Sequence, residues 1–190
     1  MTMKELVLQN RTHRRFDQAA AVDRQTLEGL VDLARLSPSG GNKQPLKYLL
    51  SCDAEKNARI FPSLAWAGYL KGWGGPKEGE RPAAYIVILC DKEISDNAGC
   101  DHGIAAQSIM LGASELGLRG CMIGAFKREP LRAALQVSAR YEILLVLALG
   151  KPAERVVLES VPESGDIKYW RDAQDVHHVP KRRLEDIVMN

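Results

Sequence analysis

Two clusters of cations lie at opposite ends of the chain: Arg11, Arg14 and Arg15, with Thr12 and His13 among them, and Lys181, Arg182 and Arg183. Brought together by folding, they would hold an anion, because guanidinium and ammonium donors match the oxygens of a phosphate. Kept apart, they are two solvated patches of an ordinary surface. A third segment, Ser37 to Pro45, contains Pro38, Ser39, Gly40, Asn42 and Gln44. Such a loop exposes backbone and amides that can bind a polar ligand or simply turn the chain. A fourth segment runs from Gly120 to Phe126 through Gly124 and Ala125. Residues this small let a flat ring lie against the backbone, or serve a tight turn. Trp66, Tyr69 and Trp73 stand among Gly72, Gly74, Gly75 and Pro76. They form either a local aromatic staple or a lid with aromatic surface for a planar ligand.

Other chemistries find less support. There is no phosphate-binding G-x-x-x-x-G-K-[ST] loop, no G-x-G-x-x-G after a strand and no G-x-S-x-G elbow. Cys52, Cys90, Cys100 and Cys121 include no Cys-x-x-Cys pair, and three of them interrupt apolar runs as small hydrophobes do. Cys100 with His102, or His177 with His178, does not have the spacing of a structural zinc module. The 26 basic residues against 24 acidic ones leave a net charge of +2, too little to suggest a nucleic-acid partner. No apolar run is long enough for a membrane span. The first residues do not resemble a secretory signal, so a cytoplasmic location is expected.

The 190 residues are expected to form a single α+β domain, with a core over about 1–152 and an arm over about 153–190. Asp23 is placed to cap a helix whose Leu27, Leu30, Val31 and Ala34 share one face, and Pro38 ends it. Strands are predicted over 47–52, 120–123 and, as runs buried on both faces, 84–90 and 142–149. Asp101 is expected to cap an all-round apolar helix over 102–116, which must be buried in the core or against a second subunit. Pro130 is expected to open a further helix. Residues 53–61 are weakly helical, and 63–80 read as a short helix running into a loop. The arm has little periodicity, but Trp170, His177 and Val179 argue that it packs.

Five ordered patterns span essentially the whole chain. They are Arg11-Thr12-His13-Arg14-Arg15-Phe16, Ser37 to Pro45, Asp101-His102-Gly103-Ile104-Ala105-Ala106-Gln107, Ile123-Gly124-Ala125-Phe126 and Pro180-Lys181-Arg182-Arg183-Leu184. In this order the chain resembles the short bacterial-type members of the FMN-dependent nitroreductase family. The resemblance implies a three-layer fold, with a mostly antiparallel sheet between helices and a C-terminal arm exchanged in a homodimer. It implies FMN at the dimer interface and NADH or NADPH as electron donor. Hydride would pass in a ping-pong cycle to nitroaromatics, quinones or similar acceptors. Arg11, Thr12 and Arg14 would meet the phosphate and the pyrimidine side of the ring, and Lys181 and Arg183 would close on the phosphate. Pro38, Ser39, Gly40, Asn42 and Gln44 would come from the partner subunit. The Gly124 N–H would face flavin N5 with Ala125 beside it. Trp66, Tyr69 and Trp73 would be substrate-pocket residues, and no side chain is required as a catalyst. A flavin carrier or redox-linked regulator without turnover is the alternative on the same scaffold.

Overall fold

The computed structural model describes residues 2–189. Helix α1 (Met3–Gln9) opens the chain with Thr2 as its cap. Helix α2 (Arg24–Arg35) starts where the Asp23 carboxylate accepts from the Thr26 N–H, as its sequence requires, and buries Leu27, Leu30 and Ala34. Strand β3 (Ala84–Asp91) is buried along its whole length. It lies between β2 (Leu46–Ser51) and β5 (Tyr141–Pro152), antiparallel to both. Strand β4 (Arg119–Ile123) pairs antiparallel with β5, and the two-residue β1 (Phe16–Asp17) pairs with its end.

The period of two along β3 divides its side chains between two cores. Ile86 and Ile88 pack with Leu147 and Leu149 beneath α2 and α4 (Asp101–Glu115), where Ala105, Ile109 and Met110 meet them. Tyr85, Val87 and Leu89 point the other way. They join Ile60 of α3 (Ala54–Ile60) and Leu131 of α5 (Arg128–Leu135). An extra residue in β5, Leu144, stands opposite the step from Ile88 to Leu89, a bulge that keeps both faces in register. The result is the expected α+β sandwich of helices about an antiparallel sheet.

Three local expectations differ from the structure. Residues 64–80 contain no α-helix: a 3-10 turn at Phe61–Ser63 leads into irregular chain. Trp66 is buried in the second core, and Gly75, at φ 115°, closes over it. A Cβ on Gly75 would lie 2.6 Å from the indole, so the glycine serves the tryptophan's burial. Asp101 is the first residue of α4 rather than its cap, which is Cys100. Pro130 is the third residue of α5, whose cap is Lys127.

The arm is more ordered than its composition suggests. Strand β6 (Val156–Ser160) runs parallel to β8 (His177–Lys181), and β7 (Trp170–Arg171) pairs antiparallel with β8. No helix among the described residues is long and apolar enough to cross a membrane.

Candidate functional site

The Thr12–Gly120 parallel bridge decides where the N-terminal cations go. Together with the His13 N–H donating to the Gly120 carbonyl at 2.9 Å, it lays residues 11–14 beside the start of β4. Two adjoining cavities, of about 250 and 230 Å³, share Met122 as a wall. The first is lined by Arg11, Thr12, Gln107 and Lys181. The second is lined by Arg14, Trp66, Cys121, Gly124 and Ala125. Folding therefore gathers Lys181 of the C-terminal cluster with Arg11 and Arg14 of the N-terminal cluster along one cleft, while Arg15 pairs with Glu80 and Asp175.

The two glycines of this strip differ in use. A Cβ on Gly120 would come within 2.4 Å of the Ala148 carbonyl, so that position is closed by packing. At Gly124 the nearest atom would be Leu145 Cδ1 at 4.0 Å, which leaves that side open. The Ala125 carbonyl accepts from the Ala65 N–H at 2.9 Å and anchors the turn to the Trp66 segment.

The charges at the two ends are held differently. Arg11 donates from one terminal nitrogen to the Val7 carbonyl at 2.7 Å, while its Nε is buried without a partner. Burial lowers its pKa from the ordinary guanidinium range, which favours an anion beside it. Arg14 is only 9% exposed. It donates to His177 Nε2 at 3.1 Å and its guanidinium lies 4.5 Å above the Tyr169 ring. The Cys121 thiol, pushed up to about 11 by burial, stays protonated at neutral pH and offers no nucleophile.

Burial first, and then the Arg14 cation, push His177 down to about 4. Glu154 opposes this, while Arg171 and His13 add to it. Unfolded, the imidazole takes its proton near 6.5. The unfolded chain thus binds the extra proton between those values, so this stability is complete above about pH 6.5 and lost as pH falls towards 4. Urea titrations at pH 7 and pH 5 are expected to show a smaller acid loss in His177→Gln than in the wild type. The adjacent His178 runs the opposite way, raised by its hydrogen bond to Asp172.

The remaining expected site residues lie elsewhere on the protomer. Pro38, Ser39, Gly40 and Gln44 line cavities at the N-terminal end of α4, away from the Arg11–Gly124 cleft. Asp101 organises this loop: its carboxylate accepts from the Ser39 hydroxyl at 2.6 Å and the Gly40 N–H at 2.9 Å. Asn42 and Gln44, both at positive φ, join through their side chains at 3.1 Å. The cleft instead meets α4 at Gln107 and Met110, about 9–14 Å further along the helix axis. Arg183 is exposed and pairs with Glu185 at 3.8 Å. Of the three aromatics, Trp66 lines the cleft. Tyr69 packs on Tyr169, with centroids 5.0 Å apart, and Trp73 lies beneath Arg171 at 4.6 Å.

Sequence reasoning missed Glu154, Tyr169 and Arg171. The Glu154 side chain is 1% exposed. One of its oxygens accepts from the backbone N–H groups of Arg14 and Arg15, and the other from Arg171 at 2.7 Å. This carboxylate ties the N-terminal segment to the arm, and its only sequence signal is a charge placed just after the last core strand.

Comparison with known proteins bears on the whole chain. Residues 7–72 and 79–151 match the family model described as "Nitroreductase family". A protein of Archaeoglobus fulgidus, provisionally named an NADH dehydrogenase/NAD(P)H nitroreductase, is 25% identical over 138 residues. That match covers 68% of this chain and 74% of the relative. Among solved structures, an FMN-dependent nitroreductase of Clostridium difficile is 25% identical with a TM-score of 0.65, covering 80% of this chain and 89% of that one. A nitroreductase family protein of Streptococcus pneumoniae shares the fold over 100% of both chains, at 16% identity and a TM-score of 0.72.

Proposed function

The chain belongs to the nitroreductase family, and we propose that it is an FMN-dependent oxidoreductase passing hydride from NADH or NADPH to nitroaromatics, quinones or similar electron-poor acceptors. The observation that carries this reading is a pair of adjoining cavities, one lined by Arg11 and Lys181 and the other by Arg14 and the open Gly124. FMN presents a doubly charged phosphate, a polyol chain and a flat ring with carbonyls along one edge. The unpartnered Nε of Arg11, the Thr12 hydroxyl and the Lys181 ammonium suit the phosphate. Arg183, two residues beyond Lys181 and exposed beside Glu185, would be the outer phosphate contact once it turns from that carboxylate. The open side of Gly124 suits the ring, and Arg14 suits its carbonyl edge.

When bound, the flavin supplies the hydride chemistry. The chain's own residues bind and orient. The Gly124 N–H is the donor assigned to flavin N5, with Ala125 beside it, and Trp66 walls the cleft where donor and acceptor enter. With the strip from Gly120 to Ala125 against one face of the ring, donor and acceptor would take turns on the other, as a ping-pong order requires.

The Ser39 loop gives the protein its reason to pair. Pro38, Ser39, Gly40, Asn42 and Gln44 reach a flavin when a second copy brings them over the cleft. Leu33 on α2, Leu36 at its C-terminal cap and Ile104 on α4 are exposed and provide apolar surface for a homodimer. In the same pairing the outer side of the arm, whose inner side packs on its own protomer through Arg171 and Tyr169, would lie against the partner.

A comparison of FMN with riboflavin tests the phosphate assignment. FMN is expected to quench on binding with an affinity about a hundredfold higher than riboflavin, since each charge-assisted bond to phosphate contributes about 1.5–3 kcal/mol. Lys181→Ala is expected to reduce that preference about tenfold, or about 1.4 kcal/mol. Equal affinity for the two flavins would contradict it.

A further inference from the structure

We propose that Tyr169 and His177 are positioning residues that hold Arg14 as a buried cation paired with no carboxylate, and that they thereby set how readily the bound flavin is reduced. The inference rests on the FMN reading above. It concerns residues of the arm that lie outside the cleft and touch it only through Arg14.

Among the described residues, two arginines beside Arg14 at this junction, Arg15 and Arg171, each have a carboxylate. Arg15 reaches Glu80 at 3.5 Å and Asp175 at 3.1 Å, and Arg171 reaches Glu154 at 2.7 Å. Glu154 accepts from the Arg14 backbone N–H, but its oxygens are taken by Arg171 and by two backbone N–H groups. The Arg14 side chain is left with neutral partners: the His177 Nε2 acceptor at 3.1 Å and the Tyr169 ring at 4.5 Å. An imidazole that accepts at Nε2 is uncharged and carries its proton on Nδ1. That Nδ1 is buried without a partner, so nothing else competes to orient the ring.

Each holding residue is itself fixed. His177 opens β8, and its N–H donates to the Arg155 carbonyl at 2.8 Å. Tyr169 is clasped between the His177 ring, 5.3 Å away, and the Tyr69 ring, 5.0 Å away. A ring face and a neutral acceptor orient a guanidinium without cancelling its charge. A carboxylate in either place would cancel most of it, because opposite charges attract strongly away from water. Reduction by two electrons and one proton leaves a net negative charge near the pyrimidine edge of a flavin. A fixed, uncancelled cation at that edge favours the reduced form.

The test measures FMN affinity and the two-electron midpoint potential, by dithionite reduction against reference dyes, in wild type, Arg14→Met, His177→Ala, His177→Gln and Tyr169→Leu. In His177→Ala and Tyr169→Leu, binding of reduced relative to oxidised FMN is expected to fall about tenfold, a drop of about 30 mV for a two-electron couple. His177→Gln, whose amide oxygen can accept from Arg14, is expected to keep the wild-type potential. Wild-type potentials in both His177→Ala and Tyr169→Leu, with a lowered one in Arg14→Met, would overturn the inference and leave the FMN reading standing. Failure of the wild type to bind FMN would overturn the reading and the inference with it, whereas an Arg14→Met potential equal to wild type would overturn the inference alone. Should His177→Ala not fold, Tyr169→Leu decides by the same criterion.

Discussion

Glu154→Ala is expected to destabilise the protein by about 3–5 kcal/mol, the usual cost of removing one partner from a buried ion pair. Arg171 is 9% exposed at its side chain and would be left without its carboxylate. The N–H groups of Arg14 and Arg15 would lose their acceptor at the same time. Because Glu154 joins the N-terminal segment to β7 through Arg171, the loss should loosen the arm and the cleft together. For a chain of this size the melting temperature should fall by about 10 °C. Glu154→Gln keeps an acceptor for the two N–H groups and should fall between alanine and wild type. Chemical denaturation of the three proteins checks the order, and an alanine variant within about 1 kcal/mol of wild type would contradict this role.

Arg14→Met is expected to weaken FMN binding by about tenfold or more, the loss of one charge-assisted contact with the ring edge. It should also lower the flavin potential, since the cation favours the reduced form. Methionine fills the space above Tyr169 without charge, so the effect isolates electrostatics from packing. Arg14→Lys keeps the charge but not the planar fork that reaches His177 Nε2 while lying flat on Tyr169. It should recover much of the potential and less of the affinity. Flavin titration of the refolded apoproteins, followed by redox titration, separates the two effects.

The sequence made the cores legible because they are written in local periodicity. Leu27, Leu30 and Ala34 mark the buried stripe of α2, and the apolar runs of β3 and β5 could only be strands covered on both faces. What could not be read depends on partners far away in the chain. Asp101 looks like a cap from its neighbours, but its carboxylate is used by Ser39 and Gly40, more than sixty residues earlier. Residues 64–80 carry apolar side chains with some helical spacing, yet burial of Trp66 under Gly75 outweighs a helix already weakened by Gly72 and Gly74. The small arm sheet pairs β6 with β8 in parallel across a long connection, and no short-range pattern signals such a pairing.

The candidate site shows the same division. Arg11, Thr12, Arg14, Gly124 and Lys181 carry enough pattern to be singled out, and the fold gathers them along one cleft. Tyr69 and Trp73 share the composition of a lid, but they face Tyr169 and Arg171 of the arm. His177 drew notice as one half of a weak metal pair and as a sign that the arm packs, but its use depends on Arg14, more than a hundred and sixty residues away.

The most direct test of the central claim is the visible spectrum of the purified protein, recorded anaerobically before and after NADH and then NADPH. A flavin oxidoreductase with this cleft should be yellow, or become so with added FMN. It should bleach with at least one donor and recolour with a quinone or nitroaromatic. A protein that takes up no FMN, or one that stays yellow with both donors, would contradict the account.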